Sequence, residues 1–295
     1  MGEPADSLYV APRQDDIHMS LAARLVADQA EGRRTVLVGL FDEASLGTRE
    51  ADAALDGLLG GPPPTRVRLG LSPDAPDVLL HATEALSDLR YRTRAGDLYM
   101  PLGVGNDLGR RIAHEAALHA YGNGEGRNVF LYEERPEAFV PGAVRMRLGH
   151  IGARLPPGAA ESADDTSLAA FLLRYHIPPS LRGDLKGLGE RARGIKNAAR
   201  RWREARSWRP GKGFGPRLHP ILHQTPDALL AAVTDMVGDA AASPRAAERM
   251  TALATRYARR LGARGHAERL WLLLPPATHG RITPVDAPEV DAAAS

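Results

Sequence analysis

Two neighbouring aspartates near the N-terminus are the first residues with an obvious chemical use. Asp15 and Asp16 follow a short apolar run at residues 8–12 and the polar Arg13, and they precede apolar residues at helical spacing. The chain has no cysteine, which leaves His, Asp and Glu as the possible metal ligands and excludes disulfides and a cysteine nucleophile. A plainer interpretation is that the pair forms the acidic first turn of a helix.

A second polar group follows another apolar run. The segment LGVGNDLGRR, which contains Asp107 and Arg110, joins a predicted strand at residues 97–101 to a predicted helix at residues 110–119. Ligands of open α/β sheets collect at the carboxyl ends of the strands. Because the loops of Arg13 and Gly105 both leave such strand ends, we expect the two polar groups to meet there.

The elements that must position these groups alternate along the first half of the chain. Apolar or β-branched runs predict strands, and amphipathic spacing predicts helices between them. The strands are expected at residues 8–12, 35–41, 66–71, 97–101 and 128–132, and the helices from about residue 21 and at residues 48–59, 77–89 and 110–119. This alternation predicts an α/β fold: a Rossmann-like, mostly parallel sheet with helices on both faces.

Length and composition favour one large globular domain. The chain has 295 residues, 43% of them apolar, and no run of eighteen apolar residues, so we expect no membrane span. Its first ten residues have no signal-peptide pattern, which favours a cytoplasmic location. We expect an α/β core at residues 1–150, a basic insertion or lid at 151–225, and C-terminal helices with a closing strand of the same domain at 226–295. Residues after 284 are expected to be disordered.

Histidines offer a weaker metal hypothesis. His219 and His223 are spaced i, i+4 in the segment LHPILH, but Pro220 would be tolerated only in a first helical turn. No acidic residue follows at the spacing of a metalloprotease helix, so structural histidines are favoured. His18, beside the aspartate pair, could enter the same cleft or pack beneath its helix.

The segment 182–217 is strongly basic. It has twelve Arg or Lys residues against three acidic ones, although the net charge of the whole chain is only +2. Such a segment could bind phosphates, nucleic acid or an anionic glycan, or it could be a solvated helix. Because Glu190 and Glu204 interrupt it and no nucleic-acid motif accompanies it, a lid that recruits an anionic ligand is favoured over nucleic-acid binding.

The order of these motifs resembles the LmbE/PIG-L zinc N-deacetylases, a family of hydrolases. Residues 11–17 (APRQDDI) are similar to the family's strand end Ala-His-Pro-Asp-Asp-Glu, and residues 101–110 (PLGVGNDLGR) are similar to its Pro-x-Gly…His-x-Asp-His element. Residues 132–136 (YEERP) are similar to its Tyr-Glu-Asp-x-Pro, and residues 265–269 (GHAER) to its C-terminal Ala-Glu-Arg. The resemblance covers residues 7–150 and, more weakly, residues 245–275.

The resemblance also implies a zinc site, which this sequence changes. The three family ligands fall on Arg13, Asp16 and Arg110, and the general base falls on Asp15. A guanidinium group has no lone pair to donate and stays protonated, so two of the three ligands are lost. We therefore expect no zinc cofactor and no ordinary zinc-dependent deacetylation.

The remaining family positions carry other roles by resemblance. The family histidine that supports the oxyanion or the leaving group becomes Asp107, and its aspartate partner becomes Gly109. Arg49 matches a family arginine that helps hold the substrate, although it could equally be a solvated helix residue. The catalytic candidates are thus Asp15 and Asp107.

The substitutions predict a charge-balanced pocket. Without zinc, Asp15, Asp16 and Asp107 would crowd negative charge in a partly buried cleft, which is unfavourable unless cations accompany them. Arg13 and Arg110 supply the two positive charges of a zinc ion. We expect guanidinium–carboxylate pairs in place of the metal, with Arg13, Asp16, Arg49 and Arg110 available to bind the substrate.

Three functional hypotheses remain open. The favoured one is a metal-free relative that binds, or processes without metal, a carbohydrate or amino-sugar conjugate, which could be anionic. The second is a non-catalytic binding or regulatory protein. The third is an active zinc deacetylase with rearranged ligands, which would recruit His18, His114 or His219.

Overall fold

A seven-stranded sheet forms the centre of the protein. The computed structural model describes residues 4–41, 63–105, 107–122, 127–159, 196, 199–200, 203, 207–210, 215–231 and 244–275, without the side chains of Asp15 and residues 244–247. The strands are β1 (Ser7–Ala11), β2 (Thr35–Phe41), β3 (Thr65–Leu71), β4 (Asp97–Pro101), β5 (Asn128–Tyr132), β6 (Arg217–Thr225) and β7 (His266–Leu274). The helices are α1 (Gln14–Ala30), α2 (Val78–Thr93), α3 (Leu108–Tyr121), α4 (Ala143–His150) and α5 (Pro244–Arg260), with a 3-10 turn at Glu137–Phe139.

The sheet has a topological switch point at its centre. The strand order is β3-β2-β1-β4-β5-β7-β6, in which β1 to β5 are parallel and β7 and β6 are antiparallel additions. Chain order runs one way from β1 to β3 and the other way from β4 to β5. The connections therefore diverge between the carboxyl ends of β1 and β4, where such sheets open a crevice for ligands.

Both faces of the sheet are covered, as the buried strands require. In β1, Leu8 and Val10 belong to one apolar cluster, and Tyr9 and Ala11 belong to the other, because successive side chains of a strand point to opposite faces. Helix α1 contributes to the second cluster, whereas α2, α3 and α5 contribute to the first. The predicted α/β fold, with a mostly parallel sheet and helices on both faces, is confirmed.

Strand β6 corrects the interpretation of the segment LHPILH. The segment is not a helical turn, because residues 217–225 pair along their whole length with β7. As the last strand of the sheet, β6 accommodates Pro220, which could not donate to a second neighbour. Residues 217–225, which the predicted division placed in the basic insertion, therefore belong to the sheet, and the division itself stays a prediction. Most of the basic segment 182–217 lies outside the described residues, so the lid stays a prediction.

Helix α1 is broken near its middle and is capped there from the far end of the chain. Leu21 has non-helical dihedral angles (φ −135°, ψ 19°), which leaves amides of the following turn without partners in the preceding one. The buried Glu268 carboxylate accepts from the backbone N–H groups of Ala23 (2.9 Å) and Arg24 (3.2 Å). Strand β7 thereby fixes the second half of α1.

A buried polar cluster joins the YEERP segment at residues 132–136 to the GHAER segment at residues 265–269. Glu133 accepts hydrogen bonds from Arg269 Nε (2.6 Å) and Trp271 Nε1 (2.7 Å), and Tyr257 donates to its second oxygen. The YEERP and GHAER segments therefore meet in the interior and hold the antiparallel part of the sheet. Within the described part of the chain, no helix is long and apolar enough to cross a membrane.

Candidate functional site

Two arginines converge on one buried aspartate at the switch point. Asp16 lies in the first turn of α1, directly after β1, and only 4% of its side chain is exposed. Its Oδ1 accepts from Arg110 Nη2 at 3.0 Å, and its Oδ2 lies 3.6 Å from Arg13 Nε. Helices α1 and α3 cover opposite faces of the sheet, so this contact joins their N-terminal turns across the strand ends.

Arg110 also contacts a second carboxylate. Its Nη1 forms an ion pair with Glu137 Oε2, from the 3-10 turn after β5, and its own side chain is 7% exposed. Burial alone would lower the pKa of Arg110, but the carboxylates of Asp16 and Glu137 outweigh burial and raise it. The guanidinium group is therefore a permanent cation held between two acids.

Asp107 has a different role from the one expected. It is exposed, and its Oδ1 accepts from the backbone N–H of Arg110 at 2.9 Å as the N-cap of α3. The expectation that it would add buried negative charge to the cleft was therefore wrong. Its catalytic role stays a prediction.

Gly109 leaves little space for a side chain. A Cβ atom at this position would lie 3.1 Å from Phe41 Cε2 and 3.2 Å from Asp107 Oδ1. The ring of Phe41, at the end of β2, thus packs directly against the first turn of α3. A side chain at position 109 would therefore displace Phe41 or Asp107 slightly.

Glu134 forms hydrogen bonds with the backbone of the loop between β4 and α3. Its carboxylate accepts from the backbone N–H groups of Gly103 (2.6 Å) and Val104 (3.0 Å). Complete burial raises the pKa of Glu134 to about 8, although these N–H groups and Arg110 favour the ionised form. The carboxyl group whose pKa is raised therefore lies next to the loop that carries Asp107.

Two further side chains hold the same loop by its carbonyl groups. His114 Nδ1 lies 2.8 Å from the carbonyl oxygen of Pro101, and Arg147 Nε donates to that of Leu102 at 2.8 Å. Gly103 between these contacts has φ 79°, a left-handed conformation that favours glycine. The glycine of the Pro-x-Gly element is thus explained by the backbone conformation of this loop.

Other predicted residues are distributed as follows. The side chain of Asp15 and the whole of Arg49 lie outside the described residues, so their roles stay predictions. His18 is buried within α1. His219 and His223 lie on β6, where four residues span about 13 Å, too far apart for both to bind one metal ion.

The described residues do not fit the zinc ion that the resemblance implies. Of the three corresponding positions, Asp16 alone has a lone pair to donate, and two guanidinium groups already contact it. No group of three or more His, Asp or Glu side chains among the described residues could hold a metal ion.

Sequence reasoning missed Glu137 and the buried role of Glu134. Both belong to the stretch after β5, where the paired register places Tyr132 beside Pro101. Because the two strands end at the same level, residues just after Tyr132 lie close to the β4–α3 loop. That alignment is visible only in the paired strands, and the sequence alone gives no signal for it.

Comparisons with known proteins bear on the fold. A scan against protein-family models and a search of curated proteins give no match. Among solved structures, the zinc inhibited form of teicoplanin deacetylase Orf2 is similar with a TM-score of 0.54 and 13% identity, over 94% of this chain and 99% of that chain. The A40926 pseudoaglycone deacetylase Dbv21 is similar with a TM-score of 0.53 and 14% identity, over 93% and 99%. These neighbours are LmbE/PIG-L-type deacetylases, so the chain has the fold that the resemblance implied.

Proposed function

We propose that the chain binds a carbohydrate or amino-sugar conjugate in the crevice above β1 and β4 without a resident zinc ion. The observation that carries this proposal is the pairing of buried Asp16 with both Arg13 and Arg110. The two guanidinium groups supply fixed positive charge at positions where the family has metal ligands. A charge-balanced crevice of this kind keeps its shape without a metal.

The geometry favours a ligand with an anionic group. The side chain of Arg13 is 37% exposed, so its guanidinium can reach a ligand while it remains beside Asp16. The N-terminal turns of α1 and α3 also meet at this crevice through Asp16 and Arg110, and helix N-termini favour negative charge. The neighbours named as deacetylases of teicoplanin and of the A40926 pseudoaglycone support a sugar-bearing ligand.

Chemical turnover is a separate part of the proposal. Asp15 is the candidate general base, and Arg13 could stabilise an oxyanion in place of a metal. If the chain hydrolyses N-acetylated sugars, Asp15→Asn should abolish turnover and preserve binding. Turnover that survives this substitution would exclude Asp15 as the base.

The proposal that the chain has no resident zinc ion is tested by introducing histidines at the positions of the family's zinc ligands. Metal analysis of the wild-type chain, purified in the presence of zinc, is expected to show far less than stoichiometric zinc. The double variant Arg13→His, Arg110→His recreates a set of two histidines and one carboxylate and should bind about one zinc ion per chain. A matched control is Arg13→His with Arg111→His, which places the second histidine one residue away on the same helix.

Two results would reject the proposal. Stoichiometric zinc in the wild-type chain would favour an active zinc deacetylase with rearranged ligands. Calorimetry should also detect binding of N-acetylglucosamine conjugates or glucuronic acid. If EDTA abolishes that binding, the result would likewise favour a zinc-dependent protein. We expect binding to persist with EDTA and to weaken in Arg13→Ala, because that variant removes the exposed guanidinium.

A further inference from the structure

A separate pocket lies beside α3 on the sheet face opposite α1. It has a volume of about 310 Å³ and lies between α3, α4 and strands β5 and β7. Its apolar wall includes Leu118, Leu131 and Leu273, which pack with the larger apolar cluster. The pocket contains none of the residues Arg13, Asp16, Arg110 or Glu137, so it is distinct from the crevice.

A buried imidazole lines this pocket with one nitrogen atom unused. His114 is 1% exposed, and its Nδ1 must carry the proton, since the carbonyl of Pro101 can only accept. Nε2 is therefore an acceptor, and it has no hydrogen-bond partner among the described residues. Burial, together with the nearby charge of Arg147, lowers the pKa of His114 to about 3. The ring thus stays neutral.

Arg147 supplies a hydrogen-bond donor to the same pocket. Its Nε is used by Leu102, but its Nη2 is buried and makes no hydrogen bond within the described part of the chain. Glu115 Oε1 lies 3.6 Å from this Nη2, too far for a hydrogen bond but close enough to offset the charge. The pocket therefore offers an acceptor and a donor with little net charge.

These features select a class of ligand. A carboxylate could accept from Arg147 but would repel the lone pair of His114 Nε2, and an ammonium group would face the guanidinium. A hydroxyl group both donates and accepts, so it satisfies either partner. The volume is at the lower end of small-molecule sites, which suits a single sugar ring or a polyol and excludes a large conjugate.

We propose that this pocket binds a small uncharged polyol or monosaccharide. One hydroxyl donates to His114 Nε2, a neighbouring oxygen accepts from Arg147 Nη2, and the C–H face of the ligand packs on Leu131 and Leu273. Because His114 Nε2 and Arg147 Nη2 are buried, hydrogen bonds that a ligand makes to them lie in surroundings of low dielectric constant, where they are stronger than in bulk water.

The test observes His114 directly. Wild-type protein labelled with ¹⁵N-histidine is titrated with myo-inositol, D-glucose and glycerol, and with the charged analogues D-gluconate and D-glucosamine. At least one uncharged compound should shift the Nε2 resonance saturably, and the charged analogues should bind about ten-fold more weakly or not at all. His114→Asn keeps an N–H for Pro101 and removes the Nε2 acceptor, and it should weaken binding about ten-fold, measured by calorimetry.

Further variants keep the proposal falsifiable. Leu118→Trp should block the pocket and leave the bond from His114 to Pro101 in place, so it tests the proposal even if His114→Asn does not fold. Arg13→Ala should leave the His114 titration unchanged, which separates this pocket from the crevice and from the function proposed there. The proposal is overturned if no uncharged hydroxyl compound shifts Nε2, which would mean water alone, or if a charged analogue binds as tightly.

Discussion

Arg110 lies in the first turn of α3, where the helix dipole disfavours a cation. Its buried position is therefore stabilised from outside the helix, by Asp16 of α1 and by Glu137 after β5. Each partner in turn depends on Arg110, because an isolated buried carboxylate is strongly unfavourable. The three side chains should consequently behave as one energetic unit.

Arg110→Ala should therefore lower the free energy of unfolding by about 3–5 kcal/mol, because it leaves Asp16 buried without its closest cation. The double variant Arg110→Ala, Asp16→Ala should cost less than the sum of the single variants. Urea denaturation measures all three. The control Arg92→Ala breaks an exposed ion pair with Asp88 and should cost less than about 1 kcal/mol. Additive single effects would show that the buried pair is not coupled.

His114 predicts a pH dependence of stability. Its pKa is about 3 in the folded chain and about 6.5 when unfolded, so the unfolded state binds more protons between these values. Stability from this residue is therefore complete above pH 6.5 and is lost as the pH falls towards 3, by up to about 1.4 kcal/mol per unit. Urea denaturation from pH 4 to 7 should give a flatter curve for His114→Asn than for the wild type. Parallel curves would contradict the prediction.

At the scale of elements, the break in α1 makes one helix depend on a distant strand. The second half of the helix starts with amides that Glu268 of β7 satisfies. Its carboxylate is buried, and desolvation raises the pKa of Glu268 while these amides and Arg135 oppose the rise. Glu268 therefore caps the helix as a buried hydrogen-bond acceptor.

Glu268→Ala should destabilise the protein by about 1–3 kcal/mol, because two buried N–H groups lose their acceptor. Hydrogen exchange followed by NMR should show faster exchange at the amides of Ala23 and Arg24 than at those of β1. Glu248→Ala, at an exposed position of α5, should change stability by no more than about 0.5 kcal/mol. Unchanged protection at both amides would remove the capping role.

The elements were predictable where packing alone decides them. Strands β4 and β5 have the predicted bounds, because a central parallel strand is buried on both faces and reads as an apolar run. Strand β6 was missed because an edge strand tolerates His219, Pro220 and His223, which give no strand pattern. The meeting of the Arg13 and Arg110 loops followed from their positions at the carboxyl ends of strands. The second partner of Arg110, Glu137, depends on inter-strand register that the sequence does not reveal.

At the scale of the whole molecule, the last of the described strands along the chain, β7, covers the edge of β5. Strand β7 lies between β5 and β6 and contributes Glu268, Arg269 and Trp271 to buried hydrogen bonds that reach back as far as α1. The N-terminal parallel strands thus have an unfinished edge and an uncapped helix until β7 is in place. The two antiparallel strands are part of the same folding unit.

A chain that ends at residue 263 lacks β7 and should show no cooperative unfolding transition, because β5 and α1 lose their partners together. A chain that ends at residue 284 removes the tail that the sequence predicts to be disordered, and it should unfold at nearly the wild-type temperature. Circular dichroism during heating distinguishes the two. A cooperative transition in the shorter chain would show that the parallel half folds alone.

The position of β7 also has a consequence for synthesis on the ribosome. Strand β7 is made after all other described strands, and about 140 residues separate its end from the end of β5, so at 5–20 residues per second β5 waits roughly 7–28 s for its partner strand. During that time β5 presents an open edge, which can pair with another nascent chain. The yield of native protein should therefore depend on chaperones that bind the nascent chain and on the rate of translation, even though the finished fold has that edge covered.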